Sequence, residues 1–289
     1  MGIVSDKKNG SGLLPSDVET KLERLAQNQS KWRNERGLED KLALLQEIHT
    51  NLTKTITMDD WYALGEWTAG TMMGIPTHTD EGACVKTAES VIPLLFLKEH
   101  LERLMESYKM ASGGKNISAN AKVYAEKLQP KLATNGQVIY DVFPLLAKDT
   151  FGPNAGVNVQ WWLDPDRVKT LQDAPKPFVV DEFADKESKE QRDGVLVVLG
   201  AGNQSFLTIM DVIEGLFTKQ RTVLLKHHPL RGVGLEPILR KLFQPLYEQG
   251  YLESIMDLDS VEANSALVYH PMVTAIHMTG GKPTHDAIV

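Results

Sequence analysis

The sequence predicts an α/β protein built on a Rossmann-type, doubly wound parallel sheet. The first observation is a short apolar run, Gly194–Leu199, followed by a glycine-containing turn and a segment with helical periodicity. The second is a further apolar run, Arg221–Lys226, and the third is that this alternation continues to Val289. Continuous apolar runs that alternate with helices are typical of strands buried in a parallel sheet. We therefore expect strands near 194–200, 221–226 and 273–278 to be parallel neighbours.

The turn after the first strand contains Gly200 and Gly202, which allow a sharp bend and a close approach of a ligand to the backbone. Apolar residues then recur at helical steps from Phe206 to Phe217, so a helix follows. The later elements are predicted in this order: a helix over 235–246 that stops before Gly250, a strand over 254–258, a helix over 259–268 capped by Asp259, the strand 273–278, and the start of a helix within 283–289.

The part of the chain before residue 194 has a different pattern. Residues 1–14 are expected to be a disordered tail, and 15–193 a helical N-terminal region with a β hairpin near 137–163, before the Rossmann-type portion 194–289. Ser16 and Glu19 fit a helix-capping pattern. Pro93 is expected to kink or split a long helical segment over 82–110.

Composition excludes several classes of protein. The net charge is −7 and the basic residues are dispersed, so no nucleic-acid partner is expected. No apolar run approaches the roughly 20 residues that cross a membrane, and the N-terminus lacks the apolar core of a signal peptide. The eight histidines show no ligand spacing, so no metal site is predicted. A single cysteine suits a reducing compartment, and we expect a soluble cytoplasmic protein.

The second half of the chain resembles the cofactor-binding domain of the aldehyde dehydrogenase superfamily. Asn203 stands in the turn after the first strand, Lys226 ends the second strand, and Thr279-Gly280-Gly281 follows a later strand, in the order and spacing of that family. The segment 32–52, where a Trp precedes a Leu-rich run, is similar to the family's N-terminal helix. Gly281 and the His228-Pro229 pair slightly resemble its coenzyme-A-acylating branch.

The resemblance implies an NAD(P)-dependent oxidoreductase that acts on an aldehyde, or on an acyl thioester in the reverse direction. Asn203 would direct its side-chain amide toward the developing oxyanion of the substrate. The residues that would contact the cofactor are Gly200, Lys226, His228, Pro229, Thr279, Gly280 and Gly281. Each of two residues also has a purely structural interpretation: Asn203 as an Asn that supports its own turn, and Lys226 as a solvated lysine at a strand end.

The sequence departs from a conventional dinucleotide-binding pattern. Ser205 stands where a third glycine is expected, and no acidic residue follows the second strand. In the resembled family many NAD-specific members carry a Glu where this chain has Pro229. The loss of that carboxylate removes repulsion against a 2′-phosphate, so the choice between NAD and NADP stays open and leans toward accepting the phosphate.

The resembled family places its nucleophilic Cys and its general base Glu after the Thr-Gly turn. Cys84, the single cysteine, lies elsewhere and is expected to be a small buried apolar residue. We therefore expect the catalytic domain to be absent and the chain to be a fragment or a truncated relative. We also expect the chain alone to be inactive, and to be poorly soluble or oligomeric.

The alternative function is a non-catalytic nucleotide-binding or interaction module. In the family the β excursion serves oligomerisation, so Trp161 and Trp162 are candidates for a homo-oligomer interface or for covering their own core.

Overall fold

The structure is a computed structural model that describes residues 14–112, 126–145, 156–175, 194–256, 258 and 260–286. The predicted tail, apart from Leu14, and the predicted cap Asp259 lie outside these residues. Contacts divide the chain into two compact units, one of Met1–Lys98 with Asp185–Val289 and the other of Glu99–Ala184. This division into contact-based units differs from the domain boundary that the sequence predicts at residue 194. The boundary at 194 stays a prediction.

The described stretch 14–112 is helical. Its helices are α1 (Ser16–Ser30), α2 (Leu38–Thr50), α3 (Met58–Glu66) and α4 (Asp80–Ala111), and π-helical turns follow the first three. Helix α1 does not use the expected cap, because it already begins at Ser16, and Pro15 accepts the first backbone bonds instead.

Helix α4 is continuous across Pro93, so this proline does not split the helix, and the other expected outcome, a kink at Pro93, stays a prediction. A proline removes one backbone donor and costs about 3 kcal/mol inside a helix. The remaining turns of this 32-residue helix lie on both sides of that position, and Pro93 itself is buried. Among the described residues, no helix is both long enough and apolar enough to cross a membrane.

The unit Glu99–Ala184 contains a small antiparallel sheet. Its strands are β1 (Lys131–Leu132), β2 (Val138–Phe143) and β3 (Val159–Trp162), in the order β1-β2-β3. Val138 and Tyr140 form its core with Leu163. Trp161 and Trp162 are 45% and 48% exposed, and Trp161 stacks on Tyr140 at a centroid distance of 5.7 Å. These tryptophans are thus not buried in the core of the unit, and their role in an oligomer stays a prediction.

The other unit is built on a parallel sheet. Its strands are β4 (Val195–Leu199), β5 (Val223–Lys226), β6 (Leu252–Ile255) and β7 (Val273–Met278), in the order β6-β5-β4-β7. Strand β4 pairs in parallel with both β5 and β7, which confirms the predicted arrangement of the three strands. Strand β6 begins two residues before its predicted start, in register with β5.

The helices of this sheet differ in detail from the predicted ones. They are α5 (Ser205–Ile213), α6 (Gly232–Leu242), α7 (Gln244–Glu248), α8 (Val261–Val268) and α9 (Lys282–Asp286). The helix expected over 235–246 is broken at Phe243, since Pro245 cannot donate a backbone bond to continue it. Helix α8 is capped by Ser260, whose hydroxyl accepts a bond from Ala263 N at 3.0 Å.

Helix α1 packs directly on the parallel sheet. Val18, Leu22 and Leu25 share a buried cluster with Val195 and Val197 of β4. The π-helical turn after α1 contacts the segment that follows α5, because Trp32 Nε1 donates to Leu216 O at 3.0 Å. Helix α1 thus packs on the sheet whose strand ends form the cavity described next.

Candidate functional site

A cavity of about 740 Å³ lies at the carboxyl ends of β4, β5 and β7. The last residues of these strands, Leu199, Lys226 and Met278, are register neighbours and all line the cavity. Helix α8 supplies a further wall. The crevice outside the carboxyl ends of parallel strands is where ligands bind in open α/β sheets.

The residues singled out in the sequence lie together in this cavity. It is lined by Gly200, Asn203, Lys226, His228, Pro229, Thr279, Gly280 and Gly281. Their common location follows from the parallel sheet, because each group follows the carboxyl end of a strand. What each residue binds stays a prediction.

The turn after β4 is held at its start by two hydrogen bonds, and Gly202 within it packs on a histidine ring. Gly200 N donates to Lys226 O at 2.9 Å, and Ala201 N donates to Thr208 Oγ1 at 3.0 Å. A Cβ on Gly202 would lie 2.6 Å from Nε2 of His228, because that imidazole packs on the glycine. A side chain at position 202 would therefore displace the His228 ring.

The two histidines after Lys226 have different surroundings. His227 is buried, and its Nε2 lies 2.7 Å from Glu236 Oε2, while its Nδ1 has no hydrogen-bond partner among the described residues. His228 is half-buried, and its Nδ1 accepts a bond from Leu230 N at 3.3 Å. A neutral His228 would thus carry its proton on Nε2, beside Gly202.

Glu236 is the carboxylate that holds His227. Burial raises the pKa of the Glu236 carboxyl, but hydrogen bonds from His227, Ser254 and Arg240 outweigh burial and keep this pKa below its ordinary value. Ser254 Oγ and Arg240 Nε both lie 2.6 Å from Glu236 Oε1. The carboxylate therefore stays ionised and fixes the imidazole of His227, which also lines the cavity.

The turn after β7 is tied to helix α5. Thr279 Oγ1 donates to Asp211 Oδ2 at 2.8 Å, and the other oxygen of that carboxylate lies 3.1 Å from His277 Nε2. The Thr279 hydroxyl is thus engaged within the protein. Gly280 and Gly281 are exposed and line the cavity with their backbone.

The sequence did not indicate two features of this site. The first is the wall from α8, formed by Val261, Asn264, Ser265 and Val268, with Tyr269 after it. The spacing of apolar residues in that helix could have indicated which side of it is buried, but not that the helix lines a cavity. The second is Arg231, whose guanidinium donates to the carbonyl oxygens of Gly202 and Asn203. Nothing in the local sequence links this arginine to that turn.

The charge of the cavity is one-sided. The described residues that line it include Lys226 and two histidines but no Asp or Glu. Among the residues that the structure describes, no group of three or more His, Cys, Asp and Glu is placed to hold a metal ion. Cys84 is exposed on α4 and does not line the cavity, so the expectation that it is buried was wrong.

Three solved structures are similar to this chain. An aldehyde dehydrogenase from Bartonella henselae aligns with a TM-score of 0.53 and 14% identity, over 94% of this chain and 40% of that chain. A succinic semialdehyde dehydrogenase from Streptococcus pyogenes, solved with NADP+, aligns with a TM-score of 0.48 and 16% identity, over 95% of this chain and 43% of that chain. A gamma-glutamyl phosphate reductase from Thermotoga maritima aligns with a TM-score of 0.47 and 11% identity, over 94% of this chain and 50% of that chain.

The first of these similarities confirms the resemblance at the level of the fold: the chain has the fold of part of an aldehyde dehydrogenase. The chain spans 40 to 50% of the length of the three proteins. No protein-family model matches the sequence, and no curated protein matches it.

Proposed function

We propose that the cavity binds NAD or NADP and that the whole protein is an NAD(P)-dependent oxidoreductase acting on an aldehyde, or on an acyl thioester in reverse. One observation supports this proposal above the others. The ends of three parallel strands bring Lys226, the glycine turn and the Thr279-Gly280-Gly281 turn to one cavity of about 740 Å³. The fold of part of an aldehyde dehydrogenase agrees with it.

The residues present fit a dinucleotide. Gly200 and Gly202 let the turn pack closely on its neighbours, because a Cβ at these positions would lie 3.3 Å from Lys226 O and 2.6 Å from the His228 ring. Lys226, which lines the cavity, carries a positive charge and a hydrogen-bond donor suited to a ribose or a 2′-phosphate. No described lining residue carries a carboxylate that would repel phosphate. The cofactor, when bound, would supply hydride transfer.

In this proposal the protein contributes binding, orientation and charge stabilisation. Lys226 holds the adenosine ribose, and the backbone of Gly280 and Gly281 meets the pyrophosphate. Asn203 donates its side-chain amide to the oxygen of the substrate on which negative charge develops. Asn203 is exposed to the cavity, and the backbone of its turn is fixed by hydrogen bonds.

The choice of nucleotide tests the proposal. We expect NADP to compete with NAD on comparable terms, and Lys226→Ala to weaken both by about 1–3 kcal/mol through the loss of a charge-assisted hydrogen bond. Pro229→Glu should weaken NADP more than NAD, because it adds a negative charge near the phosphate. Calorimetric titration of the 289-residue chain with each nucleotide measures these changes.

Two matched variants separate charge from other effects. Pro229→Gln removes the proline ring without adding charge, so it should not discriminate between the nucleotides. Lys54→Ala removes an exposed lysine outside the cavity and should leave both affinities unchanged. If Lys226→Ala also leaves them unchanged, Lys226 is a solvated strand-end lysine and the ribose assignment is wrong.

A non-catalytic nucleotide-binding module is the second candidate. The observation behind it is that Cys84 lies on the surface of α4 outside the cavity, so this cysteine is not placed to act as a nucleophile there. The two candidates share the nucleotide site and differ in chemistry. Reduction of NAD or NADP by the whole protein in the presence of an aldehyde would favour the enzyme.

A further inference from the structure

Arg231 is a buried arginine whose side chain contacts the turn that carries Asn203. Its side chain is 2% exposed. Nε donates to Gly202 O at 2.8 Å, and Nη2 donates to Asn203 O at 2.5 Å. One rigid planar group thus holds two successive carbonyl oxygens of the turn.

The guanidinium is itself held by groups from two other helices. Nη1 lies 3.0 Å from Glu89 Oε2 on α4 and donates to Ser205 Oγ at 2.6 Å. The Ser205 hydroxyl, at the first residue of α5, donates to the same Glu89 oxygen at 2.7 Å. Every nitrogen of the guanidinium therefore has a partner, and a charge buried with a full set of partners has one favoured orientation.

The main chain of Arg231 ends the loop that follows Lys226. Its backbone N donates to His228 O at 3.0 Å, and it precedes the first residue of α6. The loop with Lys226 and the turn with Asn203 are therefore joined through this one residue.

We propose that Arg231 is a positioning residue for Asn203, and that Glu89 and Ser205 keep its guanidinium in place. This rests on the proposed function, which gives the Asn203 amide its role. A donor stabilises developing charge best when it is oriented before the charge appears. Asn203 is exposed, so its own packing does not orient it. The two carbonyl bonds from Arg231 fix the backbone from which its side chain projects.

The test is the order of the turn in Arg231→Lys, which keeps the charge but cannot hold both carbonyl oxygens in one plane. NMR relaxation gives order parameters for the backbone amides of Gly202 and Asn203 and for the Asn203 side-chain amide. We expect the backbone values to fall from about 0.85, typical of rigid backbone, to below about 0.6. The side-chain amide should lose order with them, while strand β5 stays rigid.

Arg24→Lys is the matched control. Arg24 also donates to a carboxylate, Glu253, and to two successive carbonyl oxygens, those of Tyr247 and Glu248, but not to this turn. It should leave the order of Gly202 and Asn203 unchanged. Unchanged order in Arg231→Lys, or an equal loss in the Arg24 control, would overturn the proposal.

A second variant keeps the test decisive if Arg231→Lys does not fold. Glu89→Gln retains the shape of the side chain and removes its charge, so it should lower the order of the same turn to a smaller extent; unchanged order there would overturn the proposal too. NADP titration of the wild-type chain is measured separately. Its failure would reject the proposed function, whereas the relaxation data would still decide whether Arg231 orders the turn.

Discussion

At the scale of single residues, the contact between Gly202 and His228 determines the shape of the cavity wall. A methyl group on Gly202 would lie 2.6 Å from His228 Nε2, which is closer than real contacts allow. The obstructing atoms belong to the ring of a side chain, so the ring can rotate away. Substitution here should therefore alter the site more than the stability of the fold.

We expect Gly202→Ala to displace the His228 ring and to weaken NADP binding several-fold, with a small change in unfolding free energy. The ring resonances of His228 and a nucleotide titration measure the two effects. Gly70→Ala is the control, since a Cβ there would meet its nearest neighbour at 3.9 Å. Unchanged His228 resonances in Gly202→Ala would show that the ring does not depend on this glycine.

The sequence was sufficient to locate the predicted site residues but not the group that fixes them. Asn203, Lys226 and Thr279 could be placed because each follows an apolar run, and parallel strands end at one edge of a sheet. Arg231 and Glu89 are 142 residues apart, and their bond joins α4 to the residue that precedes α6. Local periodicity contains no information about such a pair.

At the scale of the elements, helix starts show how packing overrides a local pattern. Ser16 and Glu19 match a capping box, but α1 already includes Ser16 because the preceding Leu14 is buried in the core and Pro15 provides the N-cap. In α3 the pattern is realised. Thr57 Oγ1 accepts a bond from Asp60 N at 3.3 Å, and Asp60 Oδ2 accepts one from Thr57 N at 2.9 Å.

We expect Thr57→Ala to lower the free energy of unfolding by about 1 kcal/mol, the usual effect of losing an N-cap side chain. Ser16→Ala should change it by no more than a few tenths of a kcal/mol, because Ser16 lies inside α1 and the N-cap is Pro15. Chemical denaturation of the two variants measures both values. Equal losses would mean that α1 uses Ser16 as a cap in solution.

At the scale of the whole molecule, the sequence predicted the parallel sheet but not what covers it. The strands were visible as apolar runs, whereas the packing of α1 on β4 joins residues that are far apart in the chain. The same holds for Lys41 of α2. This lysine is 2% exposed, donates to Gln220 Oε1, and lies 5.0 Å from the centre of the Trp32 ring. A charge buried in this way makes stability depend on pH.

Burial, assisted by the nearby charge of Arg33, lowers the pKa of the Lys41 ammonium to about 8 in the folded chain. The unfolded chain keeps a pKa of about 10.4 and so binds more protons between these two values. Stability should therefore rise with pH across this window. The buried Tyr247, whose pKa is raised mainly by burial, acts in the opposite direction above the ordinary tyrosine pKa of about 10. The useful range is thus about pH 7.5 to 9.5, in which the free energy of unfolding should increase by about 1–2 kcal/mol.

Denaturant titrations at several pH values measure the slope of unfolding free energy against pH. The variant Lys41→Met should remove this slope, whereas Lys54→Met, at an exposed position, should retain it. A wild-type slope equal to that of Lys41→Met would show that folding does not lower the pKa of Lys41.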